Sequence, residues 1–266
     1  MVKRRVATAV IGLPLVIAAI WFGTPWFTSL IVLSAIAGSL EFYRMATAAG
    51  SRPMVYLGVL WTLLLVISSH CPYIQIKPIL ITTAVVVSLV CLLFRPNREQ
   101  AFARWAWTMA GILYIGWMLS YWVDLRSLES GRGWVLWAIL TVFANDIFSF
   151  FGGRAFGKRR LAPAISPGKT WEGAAIGVIF GMTASFGLSA AFSLPFNQWQ
   201  PLLLGAIICI LAQLGDLVES LLKRTTGAKD SGGLLPGHGG LLDRADSLIL
   251  TGVFAYYWAT LCTTSG

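Results

Sequence analysis

The sequence predicts an all-α integral membrane protein of about nine transmembrane helices, and three observations lead there. The 266 residues are 57% hydrophobic and only 12% charged, with a mean hydropathy of +0.74, where a soluble domain carries about 25% charged residues. Apolar runs close to the ~20 residues that cross a bilayer core follow one another along almost the whole length. These runs lack the period-two alternation of a membrane barrel. A chain in hydrocarbon must satisfy its backbone hydrogen bonds within each segment, which leaves the helix.

In order, the runs extend from Val6 to Phe22, Trp26 to Tyr43, Met54 to Ser69, Pro78 to Phe94, Trp105 to Val123, Trp134 to Phe151, Gly173 to Leu194, Leu202 to Leu222 and Ser247 to Cys262. The shorter ones need a thin or tilted passage. The first follows a basic start, Lys3-Arg4-Arg5. It is read as a retained helix because the run is long, lacks a small-x-small cleavage site and is followed at once by another span. No repeat or low-complexity linker breaks the chain, so residues 1–266 are expected to form one polytopic domain. Within it, residues 1–133 would be scaffold and interface spans, and residues 134–266 would carry the catalytic spans and loops.

Charge segregates with these spans. Of the 20 Lys and Arg residues, 17 fall in alternate connections on one side, and only Lys77, Arg126 and Arg132 fall on the other. The positive-inside rule puts the 17 in the cytoplasm, with the N-terminus inside and the C-terminus outside. The net charge of +9 therefore belongs to one membrane face, where topology and attraction to anionic lipids account for most of it. With no basic, aromatic surface away from the membrane-flanking loops, nucleic acid is excluded as a partner. Cys71, Cys91, Cys209 and Cys262 are scattered and fit neither a disulfide framework nor a zinc site.

The most polar stretch, Ser220 to Asp246, reads SLLKRTTGAKDSGGLLPGHGGLLDRAD. It holds the cations Lys223, Arg224, Lys229 and Arg244, the anions Asp230, Asp243 and Asp246, His238, and six glycines from Gly227 to Gly240. Glycine lets backbone N–H groups approach a ligand, Lys and Arg neutralise phosphate oxygens, and paired aspartates hold a divalent cation. The ligand this mixture suits is a metal-bound phosphate.

Acids inside or at the ends of spans point the same way. Asp146 lies ~9 Å inside the end of span six at helical rise, where an acid costs roughly 2.5–3.5 kcal/mol at mid-helix and is functional by default; the plainer reading pairs it with Arg154 or another basic side chain. Asp216 and Glu219 are three apart and share a helix face, so a cation is needed nearby. Glu219 and Lys223 have the i,i+4 order of a helix salt bridge, which leaves Asp216 without a local partner. Asp243 and Asp246, also three apart, open span nine. Either could be an N-cap, but one cap does not need two aspartates with Arg244 between them.

Ser166-Pro167-Gly168-Lys169-Thr170 ends like a phosphate-binding P-loop, yet that motif requires glycine where Pro163 stands and a preceding strand that the sequence does not suggest. The segment reads instead as a rigid turn ahead of span seven. Lys169 and the hydroxyls of Ser166 and Thr170, near a helix N-terminus, would suit an anion. The role of Glu172 is open.

The run Ser220, Lys223-Arg224, Lys229-Asp230, Gly232, Leu235-Pro236, His238-Gly239-Gly240, Asp243-Arg244 and Asp246 resembles the signature of the phosphatidate cytidylyltransferase (CDP-diacylglycerol synthase) family. Ser166-Pro167-Gly168-Lys169-Thr170-Trp171-Glu172-Gly173 is similar to that family too. Ala245 and the run Ile147-Phe148-Ser149-Phe150 depart from its pattern.

The resemblance implies transfer of CMP from CTP to phosphatidate, giving CDP-diacylglycerol and pyrophosphate. It implies magnesium, with room for a second, monovalent cation, and a homodimer in a bacterial cytoplasmic (inner) membrane with its site facing the cytoplasm. It makes Asp216 and Asp243 the metal ligands. Asp216, Asp243, Asp246, Lys223 and Arg224 become catalytic, while Asp146, Ser166, Lys169, Thr170, Ser220, Lys229, Asp230, His238, Gly239, Gly240 and Arg244 contact substrates. The chemistry is coherent, because a phosphate acceptor needs charge neutralisation rather than a general base. Two other classes share some of these features. A CTP-dependent lipid kinase would release CDP, and an anion transporter would move substrate without consuming nucleotide.

Overall fold

A computed structural model of the chain describes residues 2–73, 75–94, 100–233 and 239–264. It is 79% helical. The order is α1 (Val2–Phe22), α2 (Trp26–Ala48), α3 (Val55–Ile67) with a 3-10 turn at Ser68–His70, and α4 (Ile76–Leu93). A continuous helical stretch follows, made of α5 (Ala101–Gly111), a π-helical segment (Ile112–Trp117) and α6 (Met118–Ser127). Then come α7 (Gly131–Phe156), strands β1 (Arg160–Ala162) and β2 (Ser166–Thr170), α8 (Trp171–Ala191), α9 (Gln200–Thr226) and α10 (Leu242–Thr264).

Each expected apolar run falls on one of these helical stretches. Among the described residues five helices, α2, α4, α7, α8 and α9, are long and apolar enough to cross a membrane, and α3 with its 3-10 turn is a shorter apolar helix. The segment expected to be a turn ahead of span seven is instead β2, and a strand does precede it. β2 pairs antiparallel with β1, Arg160 opposite Thr170 and Ala162 opposite Ser166. A two-stranded ribbon is all edge, so Pro167 can sit in it without removing a needed N–H.

The chain divides into two compact units, residues 1–124 with 225–244 and residues 125–224 with 245–266. In the first, Tyr43 is fully buried and donates its hydroxyl to Thr108 O at 2.9 Å. Its ring occupies a notch left by two glycines: a Cβ at Gly58 would overlap it, and one at Gly111 would come within 2.5 Å. Leu65, Ala84, Met109 and Ile112 pack beside this notch as a buried apolar cluster. At α4 and α6, Lys77 pairs with Asp124, donates to Ser120 Oγ at 3.0 Å and stands over the Tyr121 ring, so protein groups surround most of the ion pair.

In the second unit α8 packs on α7 through a stripe of small residues. Gly173, Gly177, Gly181, Ser185 and Ser189 recur every four positions and are its buried residues. Such a stripe lets helix backbones approach closely in a membrane, where packing rather than hydrophobicity drives association. A Cβ at Gly173 would meet Ser149 O at 2.7 Å, and one at Gly177 would overlap Ser149 Oγ. Further along, Trp137 Nε1 donates to Ser185 Oγ at 3.0 Å, and Ser185 Oγ donates to Pro201 O at 2.6 Å. Trp134, Trp137 and Phe196 stack edge-on or tilted beside them.

Candidate active site

The close packing of α7, α8, α9 and α10 gathers polar groups within the second unit. Asn145, fully buried, accepts from Gln213 Nε2 at 2.8 Å and donates through Nδ2 to Asp146 Oδ1 at 3.0 Å. Gln213 Nε2 also lies 3.1 Å from Ala174 O. The chain Gln213, Asn145, Asp146 thus fixes one carboxylate oxygen of Asp146 from a neighbouring helix. The other, Oδ2, lies 3.3 Å from Ser247 Oγ, and the same hydroxyl lies 3.2 Å from Asp246 Oδ1. Asp246 Oδ1 accepts the Ser247 N–H at 2.7 Å as well. Gly215 is where α9 meets α10, since any Cβ there would overlap Asp246 O. This contact brings Asp216 within coulombic reach of both Asp246 and Asp146.

The cation that Asp216 lacked in the sequence arrives from the ribbon. Lys169 Nζ, on β2, stands 2.7 Å from Asp216 Oδ2 and 3.5 Å from Gln213 O. Ser220 Oγ, one turn on, donates to Asp216 Oδ1 at 3.3 Å. Glu219 and Lys223 form the expected i,i+4 pair at 2.5 Å, with the Glu219 side chain fully buried. Arg224 Nε donates to Ile165 O at 3.1 Å, tying the end of α9 to the loop between the strands. Thr170 caps α8, its hydroxyl accepting the Gly173 N–H at 3.2 Å. Glu172 instead accepts the N–H groups of Lys158 and Arg159 at 3.0 and 3.2 Å, which fixes the turn between α7 and β1. Asp146 finds Asn145 and Ser247 as its hydrogen-bond partners, in place of the plainer reading with Arg154.

In the first unit the glycine-rich loop closes on Asp243. Its Oδ2 accepts from Ser231 N at 3.0 Å, from Gly240 N at 2.9 Å and lies 3.0 Å from Ser231 Oγ. Gly239 takes φ +82°, the left-handed backbone that glycine favours. Lys229, Asp230 and Arg244 are exposed, as groups meant for a ligand in solution would be. His238, with Leu235 and Pro236 of the signature, lies outside the described residues. Four residues were not singled out as site residues from the sequence: Glu41, Asn145, Ser231 and Ser247. Glu41 had a signal, because any acid inside an apolar span is suspect.

Oxygen ligands and excess negative charge suit magnesium. Asp146 and Asp246 lie within coulombic reach of Asp216, whose ion-pair partner is Lys169, and a hard divalent cation would complement such a set of carboxylates. No group of three or more His, Cys, Asp or Glu side chains able to hold a metal ion is present among the described residues.

A helical membrane protein that carries a carboxylate cluster with an ammonium in one unit, and a glycine-rich loop closed on an aspartate in the other, fits the class of membrane-embedded phosphoryl and nucleotidyl transferases. More particularly, the chain belongs to the cytidylyltransferase family, which it matches over residues 3–262. It is 32% identical to a phosphatidate cytidylyltransferase of Synechocystis, over 98% of this chain and 97% of that one. It is 30% identical to the phosphatidate cytidylyltransferase of Bacillus subtilis, over 97% and 98%. With the chloroplastic phosphatidate cytidylyltransferase 4 of Arabidopsis thaliana it shares 34% identity over 96% of this chain and 72% of that one. The chain is a nucleotidyltransferase enzyme.

Proposed function

We propose that the chain is a CTP:phosphatidate cytidylyltransferase. A phosphate oxygen of phosphatidate attacks the α-phosphorus of CTP, the bond from that phosphorus to the bridging oxygen of the β-phosphate breaks, and pyrophosphate leaves with the electron pair. CDP-diacylglycerol is the other product. The observation that carries this reading is the Lys169–Asp216 pair inside a cluster of three carboxylates, since an ammonium and a cation-hungry acid cluster are what two approaching phosphates require.

Lys169, Lys223, Arg224, Lys229 and Arg244 supply positive charge to substrate phosphates, with Ser166, Thr170, Ser220, Asp230, His238, Gly239 and Gly240 as further contacts. Asp216 and Asp243 are the proposed holders of magnesium, and Asp146 and Asp246 belong to the carboxylate cluster of Asp216. Bound there, magnesium would neutralise the transferring and leaving phosphates. The acceptor is already an anion, so the protein's own work is to hold Asp146 through Asn145 and Ser247, to keep Lys169 beside Asp216, and to offer N–H groups from the glycine loop.

The remaining expectations stand as part of this proposal: nine crossings, a site facing the cytoplasm of a bacterial cell, and a homodimer. A nucleotide arrives from water while a two-chain lipid stays in its leaflet, so the site must admit both. The test is incubation of purified protein with CTP, magnesium and phosphatidate, followed by identification of both products. CDP-diacylglycerol with pyrophosphate supports the reading. CDP with a phosphorylated lipid makes it a CTP-dependent kinase, and transport without nucleotide turnover makes it a carrier.

A further inference from the structure

Glu41, on α2, is an acid that the reaction as written does not use. It is fully buried, and among the described residues its hydrogen-bond partners are donors from the glycine-rich loop and the start of α10. Oε1 accepts the Leu241 N–H at 3.0 Å; Oε2 accepts the Leu242 N–H at 2.9 Å. Ser231 Oγ lies 3.2 Å from Glu41 Oε2 and 3.0 Å from Asp243 Oδ2, so its one proton serves two carboxylates, while the Asp243 N–H points at the same oxygen from 3.3 Å. The loop backbone is pressed against the Glu41 side chain. A Cβ at Gly232 would stand 2.5 Å from Oε1, and one at Gly240 would stand 2.6 Å from Oε2.

A helix needs partners for its first N–H groups, and a nearby Ser or Asp usually supplies them. Here the partner comes from α2, far away in sequence, and it reaches both arms of one loop. Simple capping of α10 would not require the contact to Ser231 or the glycine at position 232.

We infer that Glu41 is a positioning residue for cytidylyl transfer: it clamps Ser231-Gly232 to Gly240-Leu242 and, through the Ser231 hydroxyl, sets the carboxylate of Asp243. The kinetic part of this inference rests on the proposed function, whereas the clamp itself does not. Two readouts on Glu41→Gln separate them. The amide keeps the shape but replaces one acceptor with an N–H group facing N–H donors.

In folded Glu41→Gln protein, with the unfolding midpoint close to that of the unaltered chain, trypsin should cut after the exposed Lys229 roughly tenfold faster, the scale of losing one hydrogen bond to a charged group in a local opening. The magnesium concentration that gives half-maximal transfer should rise by a similar, roughly tenfold, factor. Gly232→Ala, whose methyl invades the same contact, should act alike if Glu41→Gln does not fold. Its effect should shrink when combined with the shorter Glu41→Asp. An unchanged cleavage rate in both folded variants overturns the clamp. Faster cleavage with an unchanged magnesium requirement overturns the positioning role. Faster cleavage in a protein whose unaltered form transfers no CMP leaves the clamp standing and removes the proposed function instead.

Discussion

Lys169 Nζ meets Asp216 Oδ2 at 2.7 Å, and this pair joins the β-ribbon to α9 at the point where three carboxylates gather. The two side chains are 24% and 37% exposed, so the pair adds no more than about 1 kcal/mol to stability. On the proposed reading its worth lies in what it does to phosphate. Asp216→Ala and Lys169→Ala should therefore fold with little change in unfolding midpoint and lose at least ~10²-fold in turnover, the scale of removing a preorganised electrostatic contact. Turnover of lipid product per folded protein, measured beside thermal unfolding, checks both halves.

Lys223 has a second duty. Glu219 is fully buried against it, and removing one member of a buried pair costs about 3–5 kcal/mol because the other charge is stranded. Lys223→Met should unfold at markedly lower denaturant, while the double variant Glu219→Gln/Lys223→Met should recover most of that loss. Activity of the stable double variant then isolates the part of Lys223 that acts on phosphate: a deficit that persists after stability returns is the expected result.

The relay from Gln213 through Asn145 to Asp146 predicts a defect at a distance from the phosphates. Gln213→Leu removes the Nε2 donor to a fully buried Asn145, a loss of about 1–3 kcal/mol for the acceptor left behind. Asn145 no longer has a fixed orientation, and Asp146 is held less firmly. Turnover should fall by roughly tenfold, which steady-state kinetics on the purified variant will show.

Glycines of α8 give an internal comparison. Gly177→Ala drives a methyl into Ser149 Oγ and to 2.8 Å from Asn145 O, and overpacking of this kind costs about 1–3 kcal/mol. Gly187 on the same helix has open space around it. There alanine should be neutral or stabilising by up to ~1 kcal/mol through helix propensity. Thermal unfolding of the two variants reads the difference.

Much of the architecture was legible from the chain because hydropathy is a local signal. Every expected apolar run lies on a helix, and the Glu219–Lys223 pair followed from i,i+4 spacing alone. The β-ribbon was not legible: Ser166 to Thr170 is short, contains proline and glycine, and its partner strand follows a turn held by the distant Glu172. The partner of Asp216 was hidden for a different reason. Lys169 is distant along the chain and reaches Asp216 only through the close packing of α7, α8 and α9. Glu41 sat in the half of the sequence that carries none of the polar motifs, and its acid character alone marked it. Asp243 was read as a metal ligand or a cap; its contacts to Ser231 and Gly240 show that it organises the glycine loop.

The most direct measurement follows the fate of phosphorus in one reaction. Purified protein receives magnesium, phosphatidate and CTP carrying distinguishable labels at the α- and γ-phosphates, alongside the Asp216→Ala variant. The account predicts the α label in lipid and the γ label in pyrophosphate, with transfer at least ~10²-fold slower in the variant. Appearance of the γ label in lipid, or an Asp216→Ala rate close to that of the unaltered protein, would contradict it.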